Sequence, residues 1–220
     1  IMRAKLAWVY VSLDRHDKES YKAYKRVDAF NQAIQGIRHL VRATGPAIIG
    51  VGYLLDRTNI AYGNEMIDLA LAMGADYVQF RPAVEFDNEQ PAKPIHDNTW
   101  IKPAIQWLAD AVDRGHGRVI ADLPRFEMYR NWTAHGYELC HWTQLQTVIT
   151  PDGKVWTCVN RRGFDGDCLG DLNDEPFMEV WARSKAQPVN EMCRIMCRGH
   201  VPNLTLDKML GAKPKHGEFI

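Results

Sequence analysis

The chain has 220 residues, of which 46% are hydrophobic, enough for one large domain or for a medium domain with a small one. Basic and acidic residues both number 27, so no global basic field favours a nucleic-acid partner. The longest apolar runs, such as 46–55, are far shorter than the ~20 residues that cross a bilayer, and no leader is recognisable. We therefore expect a soluble, cytoplasmic protein without a membrane partner.

Strands and helices alternate along the first half of the chain. Buried strands are predicted over 6–13, 47–55, 77–82 and 118–121. Amphipathic helices are predicted from about Asp17 to Gly45, over 64–73 and over 99–112. This order with short connections indicates parallel βαβ units, in an open sheet or a barrel.

Function in a barrel collects at the C-terminal ends of the strands, together with the loops that follow them. The polar or aromatic residues predicted near those ends are Ser12, Asp14, Tyr53, Asn59, Gln79 and Arg81. A long loop over 85–98 is predicted at the same end. The regular alternation stops near residue 121, where we place a domain boundary, giving domains over 1–121 and 122–220.

All five cysteines lie in the last 81 residues, and the first 139 contain none. Clustered cysteines without a secretory signal are more often metal ligands than disulfides. Two form the pattern Cys140-x17-Cys158 across a predicted hairpin with its turn at 151–153, and two form Cys193-x3-Cys197 about one helical turn apart. Four thiolates suit either a [4Fe–4S] cluster or a structural zinc ion, and the absence of paired CxxC knuckles mildly favours iron–sulfur.

Several segments of the second domain carry a family resemblance. The Cys-x12-Gly-x4-Cys hairpin resembles the opening of the SPASM and twitch domains of radical S-adenosylmethionine (SAM) enzymes. Residues 169–172 with 177–181 are similar to the family's "LGNL…F…IW" stretch, and 193–199 to its closing cysteine pair. Upstream, residues 11–14, 50–53 and 77–82 are similar to the fourth, fifth and sixth strands of the radical SAM barrel. Four or five cysteines suffice for one auxiliary cluster, which makes the twitch form the better match.

The resemblance implies an α/β fold. The first domain would be the C-terminal half of a partial (β/α)6 TIM-like barrel, and the second a small α+β cysteine-rich domain with a β-hairpin. The family's CxxxCxxC loop is absent, and we expect it upstream of Ile1. The complete enzyme would then bind SAM and a second [4Fe–4S] cluster, and would use a 5′-deoxyadenosyl radical to abstract hydrogen from a small-molecule or peptide substrate. A reductant such as flavodoxin or ferredoxin would be its partner.

Residue roles follow from the same resemblance. Cys140, Cys158, Cys193 and Cys197 would bind an auxiliary [4Fe–4S] cluster that transfers electrons. Contacts to SAM would come from Ser12, Arg26 and Arg81; solvent-exposed roles, or for Arg81 a salt bridge to Asp14 or Glu85, are the alternatives. Cys168 is interpreted as a small core residue, and His200 as a surface residue or a neighbour of the cluster.

Two other classes of function stay open at the sequence level. The cysteine-rich domain could be stabilised by zinc in a binding or scaffold protein. The chain could also be a non-catalytic remnant without the first half of the barrel.

Overall fold

The computed structural model describes residues 6–43, 45–83, 99–131, 135–164, 166–190, 193 and 197–211. The chain divides into two compact units: unit 1 contains the described residues up to 83 together with 99–131, and unit 2 those from 135 onward. The predicted loop over 85–98 lies outside the described residues. Within the described part of the chain, no helix has both the length and the apolar character needed to cross a membrane.

Unit 1 is built on a four-stranded sheet in the order β1-β2-β3-β4, with every neighbouring pair parallel. Its strands are β1 (Trp8–Ser12), β2 (Ile48–Leu55), β3 (Tyr77–Pro82) and β4 (Val119–Ala121). Its helices are α1 (Lys18–Lys25), α2 (Phe30–Ala43), α3 (Gly63–Ala72), α4 (Ile101–Arg114) and α5 (Leu123–Arg130). The predicted parallel βαβ pattern is therefore confirmed.

One face of this sheet forms the hydrophobic core of unit 1. Side chains alternate along a strand, so every second residue of β2 and β3 enters the core, including Tyr53 and Phe80, which are 1% and 0% exposed. Their rings stack with centroids 5.7 Å apart, and Trp107 of α4 packs edge-on against Phe80 at 5.3 Å. Tyr53 lies near the C-terminal end of β2, as predicted, but its side chain belongs to the core.

The opposite face of the sheet is lined by glycines and tyrosines. A Cβ on Gly52 would lie 1.8 Å from the hydroxyl of Tyr10, and a Cβ on Gly50 would lie 2.2 Å from the ring of Tyr77. Both tyrosine rings therefore lie across the backbone of β2, which only residues without a side chain permit.

The helix predicted from Asp17 to Gly45 is interrupted. Asp17 caps α1, because its carboxylate accepts the backbone N–H of Ser20 at 2.9 Å. Arg26 then adopts φ 57° and ends α1, and a second helix begins at Phe30. The single long helix is therefore wrong, because the apolar spacing is similar on both sides of a break that one left-handed residue creates.

Unit 2 consists of short elements. Its strands are β5 (Leu139–Cys140), β6 (Val148–Ile149), β7 (Lys154–Trp156), β8 (Cys168–Asp171) and β9 (Gln187–Pro188), and its helices are α6 (Phe177–Trp181) and α7 (His200–Gly211). β6, β7 and β8 form an antiparallel sheet, and β5 pairs with β9. The predicted hairpin is confirmed: Gly153 adopts φ 87° in the turn, and its N–H donates to the carbonyl of Thr150 at 2.9 Å.

Candidate metal centre

Four of the five cysteines line one pocket in unit 2. Cys140 ends β5, Cys158 follows β7, and Cys193 and Cys197 precede α7; each of the four is partly buried. Their thiols interact electrostatically: Cys140, Cys158 and Cys193 all raise the pKa of Cys197. The structure thus brings together the four thiols that the sequence proposed as ligands. Residues 194–196, between Cys193 and Cys197, lie outside the described residues.

Burial is the main influence on these thiols. It raises the pKa of Cys140 and of Cys158 above the ordinary value, and it raises the pKa of Cys197 to about 11. Thiols with raised pKa values stay protonated at neutral pH without a metal, and coordination to a metal removes the proton.

Backbone N–H groups point at the sulfur atoms and act against the effect of burial. The sulfurs of Cys140 and Cys158 each receive two such donors, from the residues two and three positions later in the chain. The sulfur of Cys197 receives one, from the residue two positions later. These donors are Trp142, Thr143, Asn160, Arg161 and Gly199. Hydrogen bonds to sulfur stabilise thiolate ligands and help to set the potential of iron–sulfur clusters.

The donor set of the pocket can be compared with the needs of two kinds of metal centre. Across the ranges that the structure describes, no three His, Cys, Asp or Glu side chains are spaced to hold one metal ion. Zinc would need four sulfurs about 2.3 Å from one point. An iron–sulfur cluster is bound instead at separate iron atoms, and cysteine thiolates are its usual ligands. The donor set around this pocket therefore fits such a cluster.

Cys168 is separate from this group. It is exposed on β8, and its thiol lies 3.5 Å from the carbonyl oxygen of Gly170. Among the described residues that line the pocket, Cys168 is absent. Its predicted place in the core is therefore wrong, because the sequence shows neither the strand edge nor the face on which the thiol lies.

The predicted SAM-contacting residues lie in unit 1. In the strand register, Ser12 lies beside Gly52, and Gly52 lies beside Gln79. Arg81 is two residues after Gln79 and therefore lies on the same face, so Ser12 and Arg81 both belong to the glycine-lined face of the sheet. Arg26 is exposed at the helix break after α1. The three residues share no element, and their role in binding SAM stays a prediction.

Ser12 and Arg81 each form a hydrogen bond with a neighbouring side chain. Ser12 donates to the carboxylate of Asp14 at 2.9 Å, and Asp14 also forms an ion pair with Lys25. Arg81 donates to the hydroxyl of Tyr10 at 2.8 Å. The proposed alternative for Arg81, a salt bridge to Asp14, is thus replaced by a bond to a tyrosine, and Glu85 lies outside the described residues.

A comparison with protein-family models identifies the second unit. Residues 140–200 match the SPASM model, described as an iron–sulfur cluster-binding domain. This segment is similar to a SPASM domain. The match begins at Cys140 and contains Cys158, Cys193 and Cys197, so it spans the pocket from first to last cysteine. The predicted resemblance is confirmed, while the number of clusters that the domain holds stays a prediction. No curated protein matches the sequence.

Solved structures show the same fold. The protein anSMEcpe with bound AdoMet matches with a TM-score of 0.54 and 14% identity, over 93% of this chain and 54% of that chain. SuiB of Streptococcus suis matches with a TM-score of 0.51 and 10% identity, over 78% of this chain and 42% of that chain. SuiB bound to its precursor peptide SuiA also matches, with a TM-score of 0.52 and 12% identity over 78% and 41%. The chain thus spans about half the length of these structures, or less.

His135 and Tyr137 line the cysteine pocket of unit 2, and His200 contacts Tyr137. Nε2 of His135 lies 3.1 Å from the carbonyl oxygen of Cys193, and Nδ1 of the same ring lies 3.2 Å from the hydroxyl of Tyr137. Nδ1 of His200 lies 3.4 Å from that hydroxyl. Burial, followed by the charges of Cys197 and Cys140, raises the pKa of Tyr137. His200 is therefore a partly buried neighbour of the pocket, which corrects the surface alternative.

The tryptophans have different positions. Trp142 lines the pocket, and its ring fills the space where a Cβ on Gly199 would lie, 2.3 Å away. Trp181 stacks on Phe177 with centroids 5.8 Å apart, away from the pocket lining. Trp132 lies outside the described residues. Among the described tryptophans, Trp142 is the one that lines the pocket.

Sequence reasoning missed Arg161, which is 8% exposed and lines the pocket. It also missed Asn203 of α7, whose side chain is fully buried. The available signal for Arg161 was its position three residues after a proposed ligand. Asn203 gave no signal, because its partners are more than 60 residues away in the sequence.

Proposed function

We propose that this chain is part of a radical SAM enzyme whose SPASM domain binds an auxiliary [4Fe–4S] cluster through Cys140, Cys158, Cys193 and Cys197. The observation that carries the proposal is the shared pocket of these four thiols, three of which receive backbone N–H groups at sulfur. The match to an iron–sulfur domain over 140–200 supports it.

The second part of the proposal concerns unit 1, which we assign to a partial TIM-like barrel. Its parallel order and its likeness in fold to anSMEcpe and SuiB support this assignment. In such a barrel the glycine-lined face of the sheet would face the interior. SAM and the two clusters, when bound, would supply a 5′-deoxyadenosyl radical and a route for electrons from the substrate.

The residues of unit 1 would bind and orient the cofactor. Arg81 carries a permanent charge and is held in place by Tyr10, so its remaining N–H groups can bind a carboxylate. Ser12 has its proton engaged by Asp14 and keeps its oxygen lone pairs for accepting hydrogen bonds. Arg26 is the third proposed contact.

The substrate that we propose is a peptide, and the electron donor a flavodoxin or ferredoxin. Two of the neighbouring structures contain peptides: SuiB with SuiA, and anSMEcpe with the Kp18Cys peptide. The floor formed by the rings of Tyr10 and Tyr77 over β2 gives a flat aromatic surface with one cation beside it, which suits an extended chain with a carboxylate.

The metal centre is tested by purifying the chain without oxygen and measuring iron, sulfide, zinc and visible absorption. We expect a brown protein with about four iron and four sulfide per chain. A colourless protein that contains zinc would overturn the proposal in favour of a zinc-stabilised binding module. Cys168→Ala is the matched control, and it should load as much iron as the unmodified chain.

The enzyme assignment is tested in the coding sequence upstream of Ile1. A CxxxCxxC motif following a predicted strand would support it. A start codon at this position, without that motif upstream, would overturn it.

A further inference from the structure

A buried arginine lies against the cysteine pocket. Arg161 is 8% exposed and lines the same pocket as the four cysteines. It follows Cys158 by three residues; its backbone N–H donates to the carbonyl oxygen of Cys158 at 3.3 Å and also lowers the pKa of the Cys158 thiol. The guanidinium is always charged at physiological pH, so a permanent positive charge borders the proposed cluster.

Two groups fix the guanidinium. Its Nε lies 2.8 Å from Oδ1 of Asp167, a close ion pair that is poorly aligned for a hydrogen bond. Its Nη1 donates to the carbonyl oxygen of Pro188 at 3.1 Å. Pro188 lies on β9, which pairs with the strand that carries Cys140. Arg161 is therefore held between the segments of two proposed ligands.

Asp167 is buried as well, at 5% exposure, and it also accepts the hydroxyl of Thr157 at 3.3 Å. Charges excluded from water interact more strongly with their surroundings than charges at the surface. Burying such a pair costs free energy, and apolar residues of the same volume often serve stability as well. A role in stability alone therefore does not explain why two charged residues, and not apolar ones, are buried here.

The charge acts on the sulfurs. Burial raises the pKa of both Cys140 and Cys158, and the positive charge of Arg161 lowers both values in part. A cation that favours a thiolate also favours the additional negative charge of a reduced cluster, because both effects are electrostatic.

We propose that the buried Arg161–Asp167 pair sets the reduction potential of the auxiliary cluster. Arg161 stabilises the reduced state, and Asp167 limits how much of that charge the cluster experiences. This inference rests on the proposed function, because it requires a cluster in the pocket. Reduction adds one electron to the cluster, and in the test a chemical reductant of low potential supplies that electron.

The test is a reductive titration of the iron-loaded chain, followed by electron paramagnetic resonance of the reduced cluster. Arg161→Gln removes the cation, and we expect a more negative midpoint potential. Asp167→Asn removes the opposing charge at nearly constant volume, and we expect a more positive one. Arg161→Lys retains the charge, and its potential should lie closer to that of the unmodified chain than to that of Arg161→Gln.

Opposite shifts separate an electrostatic effect from damage to the fold, since damage gives no reason for opposite signs. The matched control is Arg162→Gln, the same change at the exposed neighbouring arginine, where solvent screens the charge and the shift should be smaller. If Arg161→Gln does not fold, the sign of the change in midpoint potential in Asp167→Asn still tests the inference, and a positive change is expected.

Loaded variants that shift in the same direction, or not at all, would overturn the inference. So would an Arg162→Gln shift as large as that of Arg161→Gln. Iron and sulfide are measured first in the unmodified chain, so that failure to load a cluster counts against the proposed function and is distinguished from failure of the inference.

Discussion

Asn203 holds the backbone on both sides of Cys140. Its Oδ1 accepts the N–H groups of His141, at 2.5 Å, and of Trp142, at 3.1 Å, while its Nδ2 donates to the carbonyl of Leu139 at 3.0 Å. One buried carboxamide on α7 thereby satisfies three backbone groups around a proposed ligand, and connects the first cysteine of the SPASM domain with the helix that follows the last.

Asn203→Ala should therefore weaken the domain and its hold on iron. Buried backbone groups without partners cost ~1–3 kcal/mol each, so we expect a loss of about 2–4 kcal/mol in the free energy of unfolding of unit 2, allowing for relaxation. Iron release to a chelator should become faster. The exposed Thr205→Ala on the same helix is the control, with an expected change below ~0.5 kcal/mol. Denaturation and iron-release rates measure both; equal behaviour of the two variants would contradict this role.

The ligand assignment predicts which cysteine substitutions remove iron. Cys158→Ala and Cys197→Ala each take one thiolate from the pocket, and the bound iron per chain should fall well below that of the unmodified protein. In the complete enzyme the SAM-binding cluster should remain. Cys168→Ala should keep its iron, since that thiol lies on an exposed strand. Iron and sulfide analysis decides; unchanged iron in both pocket variants would show that the assignment is wrong.

The sequence predicted those features of the molecule that depend on local patterns. Strand 77–82 and the turn at Gly153 follow from period-two alternation and from turn chemistry, and both are found. The common pocket of the four cysteines followed from their spacing and from the family resemblance. Such features depend on residues that are close together in the sequence, so they can be predicted from the sequence alone.

What the sequence did not predict depends on contacts between distant segments or on one backbone angle. The break at Arg26 is a single φ of 57° within an otherwise helical pattern. Arg161 and Asn203 are read as ordinary polar residues until the fold brings them to Pro188 and to the backbone around Cys140. That the side chain of Tyr53 enters the core could not be predicted, because the sequence does not show which face of a strand the helices cover.

Alkylation should distinguish the five thiols by exposure and by pKa. In the iron-loaded chain, iodoacetamide should modify Cys168 alone, because metal binding protects the other four. After chelation Cys197 should react slowly at pH 8. Its pKa of about 11 leaves little thiolate there, and its rate should rise until the pH passes about 11. Mass spectrometry of digested protein measures this; protection of Cys168 by iron would contradict the assignment.

Unit 1 depends on a buried ion pair beyond the C-terminal ends of β1 and β2. Arg15 and Asp56 are each 5% exposed, and their side chains meet at 2.6 Å. Asp56→Ala leaves the arginine charged and buried without its carboxylate, so we expect a loss of ~3–5 kcal/mol in the free energy of unfolding of this unit. Hydrogen exchange of peptides from β1 and β2 measures the loss separately from unit 2.

A surface pair gives the matched control for this loss. Lys22 contacts Asp28 at 3.4 Å with both side chains substantially exposed, and Lys22→Ala should change the free energy of unfolding by less than ~1 kcal/mol. Replacing both buried partners, Arg15→Met with Asp56→Leu, should recover much of the stability, because no uncompensated charge remains. If the double variant is as unstable as Asp56→Ala, the loss comes from the other hydrogen bonds of Asp56, to the N–H groups of Thr58 and Asn59, and not from a stranded charge.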